Sequence, residues 1–117
     1  MVYDKATPNP LGYREAPPAT VYAAKGKVRM VDVREPDEYV GELGHIEGAE
    51  LVPLATVETK AAAWDRDAEL VLVCRSGGRS GRAAAALAKM GFTKLVNMAG
   101  GMLAVNEEKL PVSRSAP

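Results

Sequence analysis

The stretch ELVLVCRSGGRSGRAAAALAKMG, residues 69–91, places a strand, a loop and a helix in direct succession. Residues 69–73 form an apolar run with β-branched members, which is typical of a buried strand. The pair Gly77-Gly78 breaks the chain, and the alanine-rich segment from Ser80 to Met90 favours a helix that ends at Gly91. A strand that leads through a short loop into a helix is the repeating unit of parallel α/β proteins.

Extended and helical patterns also alternate on both sides of this unit. The patterns predict strands around residues 11–14, 28–33, 49–52 and 94–98, and helices over residues 17–25, 36–42, 53–64 and 101–109. This alternation predicts an α/β sandwich with a mainly parallel sheet. Residues 1–10 and 112–117 show little apolar periodicity, so we expect a single domain at residues 11–111 with loosely ordered ends.

Composition excludes several classes of protein. Fifteen basic residues balance fifteen acidic ones, so no overall field draws the chain towards nucleic acid or an anionic membrane. The single cysteine cannot form an internal disulfide, and no charged-then-apolar leader opens the sequence. We therefore expect a cytoplasmic protein whose one thiol stays reduced, without nucleic-acid or membrane partners.

Cys74 stands at the carboxyl end of the clearest strand, where open α/β sheets bind their ligands. The glycine pair lets backbone amides turn inward as an anion-binding nest, to which the start of the next helix adds positive potential. Arg75 and Arg79 contribute planar guanidinium groups suited to oxyanions. A free cysteine is more often only a small buried apolar residue. These surroundings instead favour a reactive thiolate, because every nearby charge stabilises the deprotonated form.

The segment Cys74–Ser80 resembles the active-site loop of the rhodanese family, whose common form is Cys-Arg-x-Gly-x-Arg or -Thr. Residues 31–35 with Glu38 and Tyr39 resemble the first signature of that family, and residues 44–49 resemble the stretch that follows it. Residues 100–104 resemble the second signature, so the match spans residues 11–111. The resemblance implies a three-layer α/β sandwich around a five-stranded, mainly parallel sheet. It also implies transfer of sulfane sulfur from thiosulfate or a related donor to a thiophilic acceptor.

The resemblance further implies a role for each residue of the loop. Cys74 would be the nucleophile that carries the sulfur as a persulfide, with cyanide, a small thiol or a protein thiol as acceptor and with no metal or organic cofactor. Asp32 and Arg34 would support the loop region. Val105 stands where the family often has tryptophan, which we expect to alter packing and the acceptor entrance. The residues expected to bind the donor are Arg75, Ser76, Gly77, Gly78, Arg79 and Ser80.

Two other classes stay open at this stage. Phosphatases and arsenate reductases of the same fold typically have one more residue between the cysteine and the phosphate-binding arginine, and a histidine before the cysteine. Here four residues separate Cys74 from Arg79, and Val73 precedes the cysteine, so the loop favours sulfur. A non-catalytic interaction module usually lacks the cysteine. A persulfide relay to a protein cannot be separated from small-molecule turnover by the sequence.

Overall fold

The computed structural model describes residues 1–117 and contains one six-stranded sheet, ordered β1-β2-β6-β5-β3-β4. The strands are β1 (Thr7–Asn9), β2 (Tyr13–Ala16), β3 (Arg29–Asp32), β4 (Glu50–Leu51), β5 (Glu69–Val73) and β6 (Lys94–Met98). Strands β2 to β6 are mutually parallel, whereas β1 pairs with β2 antiparallel. The predicted mainly parallel α/β sheet is confirmed, and β1 is a sixth strand that the expected five did not include.

Six helices surround the sheet: α1 (Val2–Lys5), α2 (Pro18–Tyr22), α3 (Pro36–Tyr39), α4 (Leu54–Ala61), α5 (Gly78–Lys89) and α6 (Gly101–Glu107). Helices α2, α3, α4, α5 and α6 all lie where the sequence predicts a helix, although most are shorter. None of the six is long and apolar enough to cross a membrane.

The side chains of β5 divide the core into two halves. Leu70 and Leu72 pack in one apolar cluster with residues of α4 and α5. Val71 and Val73 point to the other face and pack in a second cluster with residues of α1, α2 and α6. Because a strand alternates its side chains between faces, both sides of β5 are buried, which explains its continuous apolar run. The sheet therefore has a helical layer on each side.

The amino-terminal segment packs against the core, although the sequence predicts loosely held residues at 1–10. Val2 and Ala6 are buried in the second cluster, and the Tyr3 amide donates a hydrogen bond to Glu69 Oε2 at 2.7 Å. Helix α1 has only four residues, too few to show a period in the sequence. Near the other end, the backbones of His45 and Ser113 exchange two hydrogen bonds of 2.8 Å, and the last residues are exposed.

Candidate active site around Cys74

Cys74 follows β5 directly and lies at the carboxyl edge of the parallel sheet, between the ends of β3 and β6. Its side chain is 1% exposed and belongs to the apolar cluster shared with α4 and α5. The loop from Arg75 to Gly77 connects it to α5, whose first residue is Gly78. The predicted strand–loop–helix unit therefore places the only thiol of the chain beneath the amino end of a twelve-residue helix.

Two hydrogen-bond donors approach the sulfur directly. The Gly77 amide donates to Cys74 Sγ at 3.0 Å, and the Ser80 hydroxyl lies 3.2 Å from the same atom. Gly77 has a φ of 103°, a left-handed conformation that glycine adopts without steric cost, and this turns its amide towards the sulfur. Burial alone would raise the pKa of the Cys74 thiol. The Ser80 hydroxyl and the amides of Ser80, Gly77 and Ser76 outweigh it, so the pKa is lowered.

The start of α6 holds the outer side of the same loop. The Met102 amide donates to the Cys74 carbonyl at 2.9 Å, and the Leu103 amide donates to the Arg75 carbonyl at 3.0 Å. A Cβ atom on Gly101 would lie 2.5 Å from both carbonyl oxygens, which is closer than side chains approach backbone. The loop carbonyls therefore turn towards α6, and the loop amides are left to face the sulfur.

The sequence predicts that the Arg79 guanidinium is available to bind a substrate. In the structure it is paired with a carboxylate instead. Its Nη1 and Nη2 atoms donate to the two carboxylate oxygens of Glu38 on α3, both at 2.8 Å. The hydrogen bonds from Arg79 lower the pKa of Glu38 to about 2, so this carboxylate stays charged at any working pH. Glu38 lies 41 residues earlier in the chain, and the loop sequence alone does not show this pairing.

Arg75 is the loop arginine that is free to meet a ligand. Its side chain is exposed, and it lines a groove of about 430 Å³ beside the loop. The carboxylates of Asp37 and Glu42 and the side chains of Leu43 and Leu103 form other parts of the wall. The two arginines of the loop thus have different partners.

Asp32 and Arg34 form a buried ion pair beside the loop and do not contact the sulfur. Arg34 Nε and Nη2 donate to the two oxygens of Asp32 at 2.9 and 2.8 Å. Arg34 Nη2 also donates to the Gly44 carbonyl at 2.7 Å, and Nη1 donates to the Glu38 carbonyl at 3.3 Å. The pair connects the end of β3 to α3 and to the Gly44 turn, which is a supporting position.

Asn97 on β6 is a site residue that the sequence analysis missed. Its Oδ1 atom lies 2.5 Å from the Ser80 hydroxyl oxygen. Its Nδ2 atom donates to the Gly77 carbonyl and to Glu15 Oε1, both at 3.1 Å. Asn97 is 3% exposed. The sequence signal for such a residue is a polar side chain inside the apolar strand Lys94–Met98, because a buried amide requires hydrogen-bond partners.

His45 and Val105 lie away from the sulfur. His45 is buried, with Nδ1 2.7 Å from the Tyr39 carbonyl and its ring stacked on Tyr39 at a centroid distance of 3.6 Å. Val105 is fully buried in the core cluster shared with α2. The valine therefore belongs to the packing of α6 and not to the wall of the groove, where Leu103 lies instead.

A comparison with known protein families identifies this arrangement. The rhodanese-like domain model matches residues 18–108, which include the whole Cys74 loop and the Gly100-Gly101 turn. The chain belongs to the rhodanese-like domain family. A sulfurtransferase of Allochromatium vinosum is 33% identical over 85 residues, which cover 73% of this chain and 78% of that protein. The thiosulfate sulfurtransferase GlpE of Pseudomonas paraeruginosa is 36% identical over 88 residues, which cover 75% of this chain and 78% of its own length.

Other relatives are longer than the matched region. The chain spans 58% of the protein YqhL of Bacillus subtilis, to which it is 41% identical over 75 residues. Among solved structures, a rhodanese-related protein of Thermoplasma volcanium superposes with a TM-score of 0.79 at 29% identity, covering 88% of this chain and all of that one. A rhodanese-like domain protein of Staphylococcus aureus gives a TM-score of 0.71 at 26% identity, covering 85% and 97% of the two chains. The rhodanese-like fold of this chain is thus shared with single-domain members of the family.

Proposed function

We propose that the protein is a sulfurtransferase that moves sulfane sulfur from thiosulfate or a related donor to a thiophilic acceptor through a persulfide on Cys74. The observation that carries the proposal is the position of the sulfur at the amino end of α5. There it accepts a hydrogen bond of 3.0 Å from the Gly77 amide. A thiol with a lowered pKa in this position is a nucleophile for a sulfur–sulfur bond.

The first half-reaction loads the enzyme. The Cys74 thiolate attacks the outer sulfur of thiosulfate, and a new sulfur–sulfur bond forms as the bond to the sulfonate sulfur breaks. The electron pair of that bond leaves with sulfite, so the charges of thiolate and thiosulfate reappear on the persulfide and on sulfite. The terminal sulfur of the persulfide carries the negative charge into the nest formed by the amides of the Arg75–Gly78 segment.

The second half-reaction unloads the enzyme. An acceptor thiolate or cyanide attacks the terminal sulfur of the persulfide and takes it as a new persulfide or as thiocyanate. The electron pair returns to Cys74 Sγ, where the Gly77 amide and the Ser80 hydroxyl stabilise the regenerated thiolate. No redox partner is needed, because one nucleophile replaces another at sulfur in each step.

We further propose that the residues of the loop have different roles in binding the donor. Arg75, exposed at the groove, is the guanidinium that meets the sulfonate of the donor. Ser76, Gly77 and Gly78 contribute backbone amides around the incoming sulfur, and Ser80 contributes its hydroxyl. Arg79 is paired with Glu38, so it supports the shape of the loop, and its positive charge is neutralised before a donor binds. A protein thiol as acceptor and a reducing compartment such as the cytoplasm are part of the proposal.

The pairing of Arg79 also argues against the phosphatase alternative. A phosphate-binding loop needs its arginine to grip the oxygens of the phosphate, and here both terminal nitrogens of Arg79 are taken by Glu38. We therefore expect no turnover of a generic aryl phosphate by the unmodified protein.

Steady-state kinetics test the proposal. Thiocyanate formation from thiosulfate and cyanide should follow ping-pong kinetics, with parallel double-reciprocal lines, because sulfite leaves before cyanide reacts. Cys74→Ser should show no turnover, whereas Ser115→Ala, which changes an exposed serine of the tail, should leave the rate unchanged. Full activity of Cys74→Ser, or hydrolysis of the aryl phosphate without thiocyanate formation, would overturn the proposal.

A further inference from the structure

A buried chain of hydrogen bonds leads from the reactive sulfur to β2. Cys74 Sγ lies 3.2 Å from Ser80 Oγ, and Ser80 Oγ lies 2.5 Å from Asn97 Oδ1. Asn97 Nδ2 continues the chain to Glu15 Oε1 at 3.1 Å. Cys74, Ser80 and Asn97 are each at most 3% exposed, so water has little access to these groups. The hydrogen bonds among these side chains therefore decide where the protons of Cys74 and Ser80 lie.

The partners of Asn97 fix the orientation of its amide. Nδ2 faces the Glu15 carboxylate and the Gly77 carbonyl, and neither of these can donate a hydrogen bond to a carbonyl oxygen. Oδ1 must therefore face Ser80 as an acceptor. The Ser80 hydroxyl has one proton, and two acceptors, Asn97 Oδ1 and Cys74 Sγ, lie within its reach. Ser80 can satisfy only one of them at a time.

We propose that Asn97 is a positioning residue that competes with the Cys74 sulfur for the single hydroxyl proton of Ser80. While Sγ is neutral, as a thiol or as the inner sulfur of the persulfide, the proton points to Asn97. A thiol proton on Sγ then points to the free lone pairs of Ser80 Oγ. When Sγ is a thiolate, the Ser80 hydroxyl turns to the sulfur and leaves Asn97. The persulfide part of this inference rests on the proposed function, whereas the thiol part needs only Cys74.

Other charged groups around the cluster do not depend on this proton. None of them contacts Ser80 Oγ, and only Glu15 contacts Asn97, through Nδ2 at 3.1 Å. A change at Ser80 leaves all of these groups in place, and a change at Asn97 removes a partner from Glu15 alone, so the Asn97 variants are compared with and without Ser80. The groups are Arg75 in the loop, Arg79 on α5, Glu38 on α3, Asp32 and Arg34 at the end of β3, and Tyr13 and Glu15 on β2.

Competition predicts opposite shifts of the Cys74 pKa for the loss of the hydroxyl and for the loss of its competing acceptor. Ser80→Ala removes a donor to the thiolate and should raise the pKa of Cys74. Asn97→Leu removes the competing acceptor and should lower that pKa by about half to one unit, the shift expected from one net hydrogen bond. In the Ser80→Ala background, Asn97→Leu should have no further effect, because no proton is left for the two acceptors to share.

The pH dependence of the alkylation rate measures these shifts, because only the thiolate reacts and Cys74 is the only cysteine. Asn97→Ala is measured in parallel as a smaller replacement. Asn106→Leu is the matched control, since Asn106 likewise donates from Nδ2 to two acceptors, the backbone carbonyls of Leu43 and Met102, without reaching Ser80. We expect no shift in this control.

A pKa that rises or stays constant in the Asn97 variants would overturn the inference, because Asn97 would then only support the loop through Gly77. Infrared spectroscopy of the protein at low pH gives a second test that needs no Asn97 variant. The lone S–H stretching band should lie at lower frequency in the wild type than in Ser80→Ala, because the thiol donates to Ser80 Oγ. Identical bands would contradict the inference. Neither measurement involves sulfur transfer, so a failure of the proposed function would be seen separately, as a lack of thiocyanate formation.

Discussion

At the scale of single residues, the two arginines of the Cys74 loop differ in what surrounds them. Arg79 is held by both oxygens of Glu38, and the side chains of this pair are 30% and 26% exposed. The Arg75 side chain is exposed to solvent at the groove. Under the proposed function, a dianionic donor would therefore meet one unpaired guanidinium and one that a carboxylate has already neutralised.

This difference predicts unequal effects of the two arginines on thiosulfate turnover. Arg75→Ala should raise the thiosulfate KM and lower kcat/KM by about tenfold, as expected for a lost charge-assisted contact at a partly exposed site. Glu38→Gln should raise kcat/KM by roughly two- to fivefold, because it leaves the positive charge of Arg79 uncompensated. Arg82→Ala, which removes an exposed positive charge further along α5, is the control and should change neither constant. Equal losses in Arg75→Ala and Arg82→Ala would contradict the role of Arg75.

The same ion pair predicts an acid dependence of stability. Folding lowers the pKa of Glu38 from 4.5 to about 2, so the folded state favours the charged carboxylate. The stabilisation is complete above about pH 5 and is lost as the pH falls towards 2. Urea unfolding of wild type and Glu38→Gln should differ by about 1 kcal/mol at pH 7, allowing for solvent screening, and the difference should shrink below pH 4. A difference independent of pH would show that the pair does not stabilise the fold.

Residue types near the sulfur could be predicted from the sequence, but their partners could not. The loop motif identified Cys74, Gly77 and Ser80, because its chemistry is local. The contacts of Glu38 with Arg79 and of Asn97 with Ser80 join positions 41 and 17 residues apart. Such pairs depend on the order of strands in the sheet, and no local pattern specifies them.

At the scale of elements, the site is a loop held between two helices. The first turn of α6 binds the carbonyls of Cys74 and Arg75, while the start of α5 supplies donors to the sulfur. The bounds of β5 and β6 were predicted to the residue, because buried strands of a parallel sheet give continuous apolar runs. The ends of α2 and α4 were predicted too late, since the residues that follow them form turns without a strong stop signal.

The contact between α6 and the loop predicts a strong effect of a single methyl group. In Gly101→Ala the new Cβ would lie 2.5 Å from the Cys74 and Arg75 carbonyl oxygens, so the loop or the helix must move. We expect a loss of about 2–4 kcal/mol in the free energy of unfolding and a marked fall in kcat. Gly48→Ala is the matched control, because Gly48 also has a positive φ of 92° but no atom within 4 Å of the added Cβ. Thermal unfolding and thiocyanate formation measure both effects, and equal losses in the two variants would rule out the steric cause.

At the scale of the whole molecule, the amino-terminal residues pack against the rest of the fold. Helix α1 packs in the core cluster shared with α2 and α6, and β1 extends the sheet, whereas Cys74 belongs to the cluster on the other face. A segment of ten residues with one short helix offers too little periodicity for recognition in the sequence, although its apolar residues find partners in the folded core.

This arrangement predicts that the amino-terminal segment acts on stability and not on chemistry. Val2→Ala should lower the free energy of unfolding by roughly 1–3 kcal/mol, because the Val2 side chain is only 2% exposed. The alkylation rate of Cys74 at neutral pH should not change. Leu11→Ala, at a position that is 63% exposed, should leave both quantities at the wild-type values. A Val2→Ala protein as stable as the wild type would show that residues 1–10 are loosely held after all.

Under the proposed function Cys74 carries sulfur as a persulfide, and the intact mass of the protein detects that sulfur. After incubation with thiosulfate and removal of excess donor, the wild-type mass should increase by one sulfur atom, and cyanide should return it to the starting value. Cys74→Ser should gain no mass under the same conditions. A wild-type mass that stays unchanged with thiosulfate and with other sulfane-sulfur donors, or an equal gain in Cys74→Ser, would show that Cys74 does not carry the sulfur.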